Sequence, residues 1–206
     1  MKTRKLFLLC LLLLFPGSRA GADSYPAPVY LDVAHVRQEN TRWCWLAVAE
    51  MVVAYKNHGQ APSQCALMEI GFGHAQGYCC ADPGRCNGGG SLEEVARIIA
   101  FFSHRRTFLT EPLTVDQLYG YLARDGIVVA RVVAAPFGAP ANAPESGHQI
   151  VLRGLRYGWI EVAGPDGRAW KEFHPLVLVN DPGAPAPQEV PYQIVRQHWE
   201  RSLLVE

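Results

Sequence analysis

The chain has 206 residues, which is enough for one domain with a sizeable buried core. Its 19 Lys and Arg residues balance 19 Asp and Glu residues, so no excess of positive charge favours a nucleic-acid partner. Hydrophobic residues make up 49% of the chain, which is ordinary for a globular protein.

The N-terminal residues have the layout of a secretory signal peptide. A basic start, "MKTRK", is followed by the short apolar run "LFLLCLLLLF" and by the small residues of "PGSRAGA". The run is much shorter than the roughly 20 residues that a membrane-spanning helix needs, and no other segment is apolar enough to span a bilayer. We predict a signal peptide over residues 1–22, one domain over residues 23–206, and a secreted or periplasmic protein.

Three helices are predicted in the first half of the domain. Residues 43–57, "WCWLAVAEMVVAYKN", are apolar almost all round, which is typical of a helix buried in the centre of a domain. Two further helices begin with capping boxes, in which a Ser or Thr and a Glu or Gln three residues later bond to each other's backbone. The pairs are Ser91 with Glu94 in "SLEEVARIIAFF" and Thr114 with Gln117 in "TVDQLYGYLARDG".

The second half of the domain is predicted to form strands. Its β-branched and apolar runs, separated by Gly, Pro and Asp turns, cover residues 127–134, 148–157, 159–164 and 176–181. Residues 135–147 and 182–191 are rich in Pro, Ala and Gly and are predicted to be surface loops. Helices followed by strands favour an α+β fold over an alternating βαβ fold.

The cysteine count predicts two disulfides and one free thiol. Five cysteines follow the predicted signal peptide, namely Cys44, Cys65, Cys79, Cys80 and Cys86, and an odd number in a secreted chain leaves one over. The last four lie in a loop-like stretch rich in Gly, Pro and Asp. They are expected to pair either as 65–79 with 80–86 or as 65–80 with 79–86. A zinc site is the alternative, but adjacent cysteines and uneven spacing fit poorly with paired zinc knuckles.

Cys44 is the cysteine left over, and it stands at the start of the predicted central helix. The N-terminus of a helix and a nearby imidazolium both stabilise a thiolate, which is the nucleophilic form of cysteine. The alternative is that Cys44 is a small core residue packed between Trp43 and Trp45. The odd number of cysteines favours the nucleophile.

A thiol nucleophile needs a base and a group that orients the base. Among the seven histidines, His148 follows a flexible Ser-Gly and begins a predicted buried strand, so rigid structure would hold it at the end of a sheet. Asn180 and Asp181 follow another predicted strand, in "VLVNDPG". Both are candidates for the orienting group, although Asn-Asp-Pro-Gly is also an ordinary turn sequence.

Together these residues resemble the papain-like cysteine peptidases, in particular their compact bacterial branch and the double-glycine leader peptidases. In the family a glutamine stands six residues before the nucleophile, and Gln38 has this spacing to Cys44. The segment "CNGGG", residues 86–90, is similar to the family's glycine segment, which pairs with the substrate backbone. "VNDP" is similar to the bacterial members in which the aspartate is the third catalytic residue. Unlike plant and lysosomal members, the chain has the bulky Trp43 before the cysteine.

The resemblance implies a papain-like fold, in which the central nucleophile helix packs on a C-terminal antiparallel sheet. It also implies hydrolysis of peptide bonds through an acyl-enzyme intermediate. Cys44 would be the nucleophile and His148 the general acid and base, with Asp181, or else Asn180, as the third member. Gln38 and the backbone N–H of Cys44 would form the oxyanion hole.

The same resemblance assigns the substrate-binding residues and the partner. Gly88, Gly89 and Trp45 would bind a peptide or protein substrate, and neither a cofactor nor a metal is expected. Two other classes of function remain as alternatives. One is another Cys–His acyl-transfer enzyme, such as a cell-wall amidase, a transglutaminase-like enzyme or a deamidating toxin; the other is a non-catalytic binding module on the same fold.

Overall fold

The computed structural model describes residues 25–133, 147–164 and 167–206. The predicted signal peptide, residues 1–22, and nearly all of the predicted loop 135–147 lie outside these residues. Within the described residues, no helix is both long enough and apolar enough to cross a membrane.

The first half of the described chain is mainly helical. Its helices are α1 (Cys44–Lys56), α2 (Gln64–Phe72), α3 (Tyr78–Ala81), α4 (Leu92–Ser103) and α5 (Val115–Leu122). A 3₁₀ turn at Pro83–Cys86 separates α3 from α4. Two short strands, β1 (Val29–Tyr30) and β2 (Thr107–Thr110), also lie in this half.

Helix α1 lies at the centre of the core. Nine of its 13 residues are buried, because apolar side chains surround it on nearly every side. It packs against α2 and α4 on one side and against a long strand of the sheet on the other. The prediction of a buried central helix is confirmed.

Both predicted capping boxes are present at the starts of α4 and α5. Glu94 N donates to Ser91 Oγ at 3.3 Å, and Ser91 N donates to Glu94 Oε2 at 2.6 Å. Thr114 and Gln117 exchange the equivalent pair of bonds. These bonds satisfy backbone N–H groups that the first turn of a helix otherwise leaves unpaired.

The second half forms an antiparallel sheet. Its elements are β3 (Ile127–Val132), β4 (His148–Ala163), β5 (Ala169–Asn180), β6 (Gln188–Pro191), α6 (Tyr192–His198) and β7 (Trp199–Val205). The strand order is β2-β7-β3-β4-β5-β6, with β1 paired to β4, and every pairing is antiparallel. The runs predicted as separate strands at 148–157 and 159–164 form the single strand β4. Residues 182–191 were predicted as a loop, yet they contain β6.

The pairing of β4 with β5 brings the start of one strand beside the end of the other. Val151, near the start of β4, lies opposite Asn180, the last residue of β5. His148 begins β4, and Asp181 directly follows β5. The antiparallel register therefore places these two residues at the same end of the paired strands.

The cysteine-rich stretch is more helical than predicted. It contains α2, α3 and the 3₁₀ turn, and Glu69 joins them. The Glu69 carboxylate accepts hydrogen bonds from the backbone N–H groups of Gly77, Cys79 and Cys80 at 2.8–2.9 Å. These bonds lower the pKa of Glu69 below its ordinary value, and the bond from Cys80 has the largest effect. Glycines in the stretch concealed these short helices in the sequence.

The disulfides follow one of the two predicted pairings. Cys65 bonds to Cys80, and Cys79 bonds to Cys86. Among the cysteines of the described residues, Cys44 alone is free. The four sulfurs are therefore used by disulfides and do not form the alternative zinc site.

Candidate active site

Cys44 is the first residue of α1 and remains partly accessible to solvent. The tryptophans on both sides of it, Trp43 and Trp45, are completely buried. Within the described residues, the Cys44 N–H has no hydrogen-bond partner, as is usual in the first turn of a helix. The core thus holds the two indoles and leaves Cys44 partly accessible to solvent.

His148 lies between Cys44 and Asp181. Its Nε2 is 2.6 Å from Asp181 Oδ1, and both residues are buried. This bond leaves Nδ1 as the nitrogen that can face the Cys44 sulfur. Burial alone lowers the pKa of an imidazole, but hydrogen bonds to Asp181 and Cys44 and attraction by their negative charge outweigh it. Together they raise the pKa of His148 from 6.5 to about 9.

Asp181 is held mainly through its own backbone. Its Oδ1 accepts a second hydrogen bond from Gly183 N at 2.8 Å. Its backbone carbonyl accepts from His35 Nε2 at 2.8 Å and from Ala184 N at 3.0 Å. Among the described residues, its completely buried Oδ2 has no partner. The position of the carboxylate therefore depends on the turn that follows β5 and on His35.

Asn180, the other candidate for the third member, has its amide engaged elsewhere. Its Oδ1 accepts from Arg153 Nε at 2.9 Å, and its Nδ2 donates to Val33 O at 2.9 Å. The side chain is completely buried and ties β5 to β4 and to the N-terminal segment. Of the two candidates, Asp181 contacts the imidazole.

Gln38 lies in an irregular segment that runs beside the turn after β5. Its backbone N–H donates to Pro182 O at 3.0 Å, next to Asp181. Its side-chain Nε2 donates to Asn40 O at 2.8 Å, so among the described residues one of its two amide hydrogens is engaged and one has no partner. The chain thus brings Gln38 to the same end of the molecule as the imidazole.

Three buried side chains hold the glycine segment 86–90 in place. Trp43 Nε1 donates to Cys86 O at 2.9 Å, and Trp45 Nε1 donates to Gly88 O at 3.0 Å. From the sheet, Gln149 Nε2 donates to Gly90 O at 2.8 Å. The indoles beside Cys44 thus fix the segment that follows the disulfide cysteine.

These contacts change the roles expected for Trp45 and Gly88. The Trp45 side chain is 0% exposed, so it has no free ring surface for the predicted contact with substrate. A Cβ at Gly90 would lie 2.3 Å from the Trp45 ring, which shows how closely the segment sits on the indole. The Gly88 carbonyl is occupied by the same indole. Trp45 is therefore a support of the segment.

Gly89 is the glycine with a free backbone. Among the described residues, neither its N–H nor its carbonyl has a hydrogen-bond partner. It lies at a surface depression lined also by Arg42, Gly90, Ser91, Glu94 and Arg131. An extended chain lying in this depression could pair with Gly89 as a strand pairs with its neighbour.

Several side chains of the site carry no sequence signal. His35 and Gln149 reach partners that are distant in sequence, Asp181 and Gly90. A polar residue in an ordinary context reveals such contacts only when the chain is folded.

Comparisons with known proteins place the fold. No family model matches the chain, and no curated protein matches it. A crystal structure of a Bacillus anthracis protein, assigned provisionally as a C39-like peptidase, is 14% identical, with a TM-score of 0.56. The match covers 88% of this chain and 98% of that one. The predicted α+β class is confirmed, and the fold is that of a C39 peptidase-like protein.

Proposed function

We propose that this protein is a secreted cysteine peptidase, with Cys44 as nucleophile, His148 as general acid and base, and Asp181 as the orienting residue. The observation that carries the proposal is the position of one buried imidazole, which bonds to Asp181 at 2.6 Å and interacts with Cys44. Three groups that are distant in sequence meet in the order that nucleophilic acyl transfer requires. The C39-like fold of the chain supports the same reading.

The first half of the reaction forms an acyl-enzyme. The Cys44 thiolate attacks the carbonyl carbon of the scissile peptide bond, and the electron pair of the C=O bond moves to oxygen. As the tetrahedral intermediate collapses, the C–N bond breaks and the His148 imidazolium donates its proton to the leaving amine. A pKa of about 9 keeps His148 protonated at neutral pH, ready for this step.

The second half releases the acid product. His148, now neutral, takes a proton from water while the water oxygen attacks the thioester carbonyl. The C–S bond then breaks and restores the thiolate beside the imidazolium. Asp181 holds the ring through Nε2 during both halves, so that Nδ1 stays directed to the reacting atoms.

Gln38 and the N–H of Cys44 are proposed as the oxyanion hole. The Cys44 N–H is unpaired among the described residues, and Gln38 has one amide hydrogen left over. One such donor is typically worth about 3–4 kcal/mol of transition-state stabilisation. Donors of this kind act on the charge that develops on the carbonyl oxygen.

The substrate class is proposed to be an extended peptide. Among the described residues, the N–H and the carbonyl of Gly89 have no hydrogen-bond partner and lie at an open depression, which favours a polypeptide over a compact murein unit. Export is proposed from the disulfides and from the layout of residues 1–22.

Digestion of a peptide library tests the proposal. The wild type is expected to cleave peptides and Cys44→Ala is expected to cleave none. In parallel, iodoacetamide near pH 6 is expected to modify one thiol rapidly. Release of ammonia from glutamine without chain cleavage would indicate a deamidating or transglutaminase-like enzyme. Slow alkylation with no product would indicate a non-catalytic binding module.

A further inference from the structure

Gln64 is a completely buried amide beside the segment that carries Gln38. It is the first residue of α2. Its Nε2 donates to the carbonyl of Arg37 at 2.8 Å, and its Oε1 accepts from the N–H of Glu39 at 2.9 Å. Because these residues flank Gln38, one side chain holds the backbone on both sides of it.

A third hydrogen bond of Gln64 leads to the helix that carries the thiol. Nε2 also donates to Glu50 Oε2, in α1, at 3.1 Å. Burial raises the pKa of Glu50, and the bond from Gln64 acts in the opposite direction. Gln64 thus joins the segment of Gln38 to α1, and the first N–H of α1 belongs to Cys44.

The opposite side of the same segment is held by the turn after β5. The Gln38 N–H donates to Pro182 O at 3.0 Å. Hydrogen bonds hold the backbone of Arg37, Gln38 and Glu39, so the Cα position from which the Gln38 side chain extends is fixed. Such precision matters, because a misplacement of about 1 Å near reacting groups can cost roughly 100-fold in rate.

We propose that Gln64 is a positioning residue for the oxyanion hole, setting the Gln38 amide against the N–H of Cys44. This inference rests on the proposed function. Gln64 touches neither substrate nor reacting atoms; it acts through Gln38 and increases the rate of the step that places negative charge on the carbonyl oxygen. A glutamine that served only the fold would have the same bonds, but the rate lost on its removal would not depend on Gln38.

A double-mutant cycle between Gln64→Met and Gln38→Ala separates these two roles. Methionine has a similar volume and no amide. Gln64→Met is expected to lower kcat by roughly tenfold in the wild-type background. In the Gln38→Ala background its effect should shrink to about twofold or less, because no side-chain donor remains to be misplaced. Alkylation of Cys44 by iodoacetamide forms no oxyanion, so its rate should stay at the wild-type value in Gln64→Met.

Gln149→Met is the matched control. Gln149 is also a buried amide, 1% exposed, but it bonds to Gly90 and not to the segment of Gln38. The factors by which Gln149→Met and Gln38→Ala lower kcat should therefore multiply in the double variant. If the factors by which Gln64→Met and Gln38→Ala lower kcat multiply in the double variant, the inference is overturned. If Gln64→Met does not fold, Gln64→Asn, whose shorter amide cannot span both backbone partners, goes through the same cycle with the same criterion. A wild type that cleaves no peptide and is alkylated slowly overturns the proposed function instead.

Discussion

The two sides of the candidate site are held in different ways. On the cysteine side, indole donors and a disulfide hold the glycine segment, and Cys44 itself stays partly accessible. On the histidine side, the pairing of β4 with β5 holds His148 and Asp181, and both are buried. A side chain at an accessible helix start can be removed at little cost to the fold. A buried hydrogen-bonded pair cannot, since removing one member leaves the other unpaired.

The largest effects are expected from Cys44→Ala and His148→Ala. Each should lower kcat/KM by at least about 10⁴-fold, because members of a catalytic unit act together. The free energy of unfolding should separate them. It falls only slightly in Cys44→Ala, which removes one of the two groups that raise the pKa of His148, and it falls by about 3 kcal/mol in His148→Ala, which leaves the buried Asp181 carboxylate without its imidazole partner. Urea denaturation near pH 7 measures this difference. Equal stability of the two variants would contradict the buried pair.

The next comparison lies within the histidine side. Asp181→Ala should lower kcat by about 10²–10⁴-fold, because the imidazole loses the group that orients it. Asn180→Ala should instead cost about 2 kcal/mol of stability, from its two buried bonds, and change kcat by less than about tenfold. Steady-state kinetics and urea denaturation on both variants check the split. A larger loss of kcat in Asn180→Ala would reverse the assignment.

Gln38→Ala is expected to have a smaller effect, about 10²–10³-fold in kcat, through the loss of one oxyanion donor. The rate of iodoacetamide alkylation of Cys44 should not change, since alkylation forms no oxyanion. Gln60→Ala, at an exposed glutamine, is the matched control and should match the wild type in both measurements. Parallel loss of kcat and alkylation in Gln38→Ala would mean that Gln38 acts on the thiol.

Removing a disulfide on the cysteine side is expected to lower stability and to change KM. Cys79→Ser with Cys86→Ser should cost about 2–3 kcal/mol of stability and raise KM several-fold, because the glycine segment begins at Cys86. Cys65→Ser with Cys80→Ser should have a similar cost in stability and a smaller effect on KM. The two double variants thus test whether the Cys79–Cys86 disulfide contributes to substrate binding. Equal KM values would show that it does not.

The most gradual effect is the pH dependence that couples the two sides. The pKa of His148 is raised from 6.5 to about 9, so its ion pair stabilises the fold fully below pH 6.5, and this contribution is lost as pH rises through 9. Activity should decline over the same alkaline range as the imidazolium loses its proton. In Cys44→Ala one of the two groups that raise this pKa is gone, so the stability loss should begin at lower pH. Urea denaturation from pH 6 to 10 measures the shift.

The sequence predicted the elements whose signals are local. The apolar run of α1 and the two capping boxes involve residues at most a few positions apart, so these elements can be predicted from the local sequence. The cysteine count likewise predicted one free thiol. The short helices α2 and α3 were missed because glycines in the stretch concealed them and because the Glu69 carboxylate that joins them bonds to residues further along the chain.

The candidate residues of the site, by contrast, were nominated by the sequence and arranged by the fold. Asn180 and Asp181 are neighbours, and the resemblance favoured Asp181 with Asn180 as the alternative. The fold brings Asp181 against His148 and engages Asn180 with Arg153. Trp45, which follows the cysteine in the sequence, was predicted to contact substrate. In the folded chain it is buried and supports the glycine segment through its bond to Gly88. The physical reason is range: helix caps and apolar periodicity act within a few residues, whereas hydrogen-bond partners across strands and helices exist only once the chain has folded.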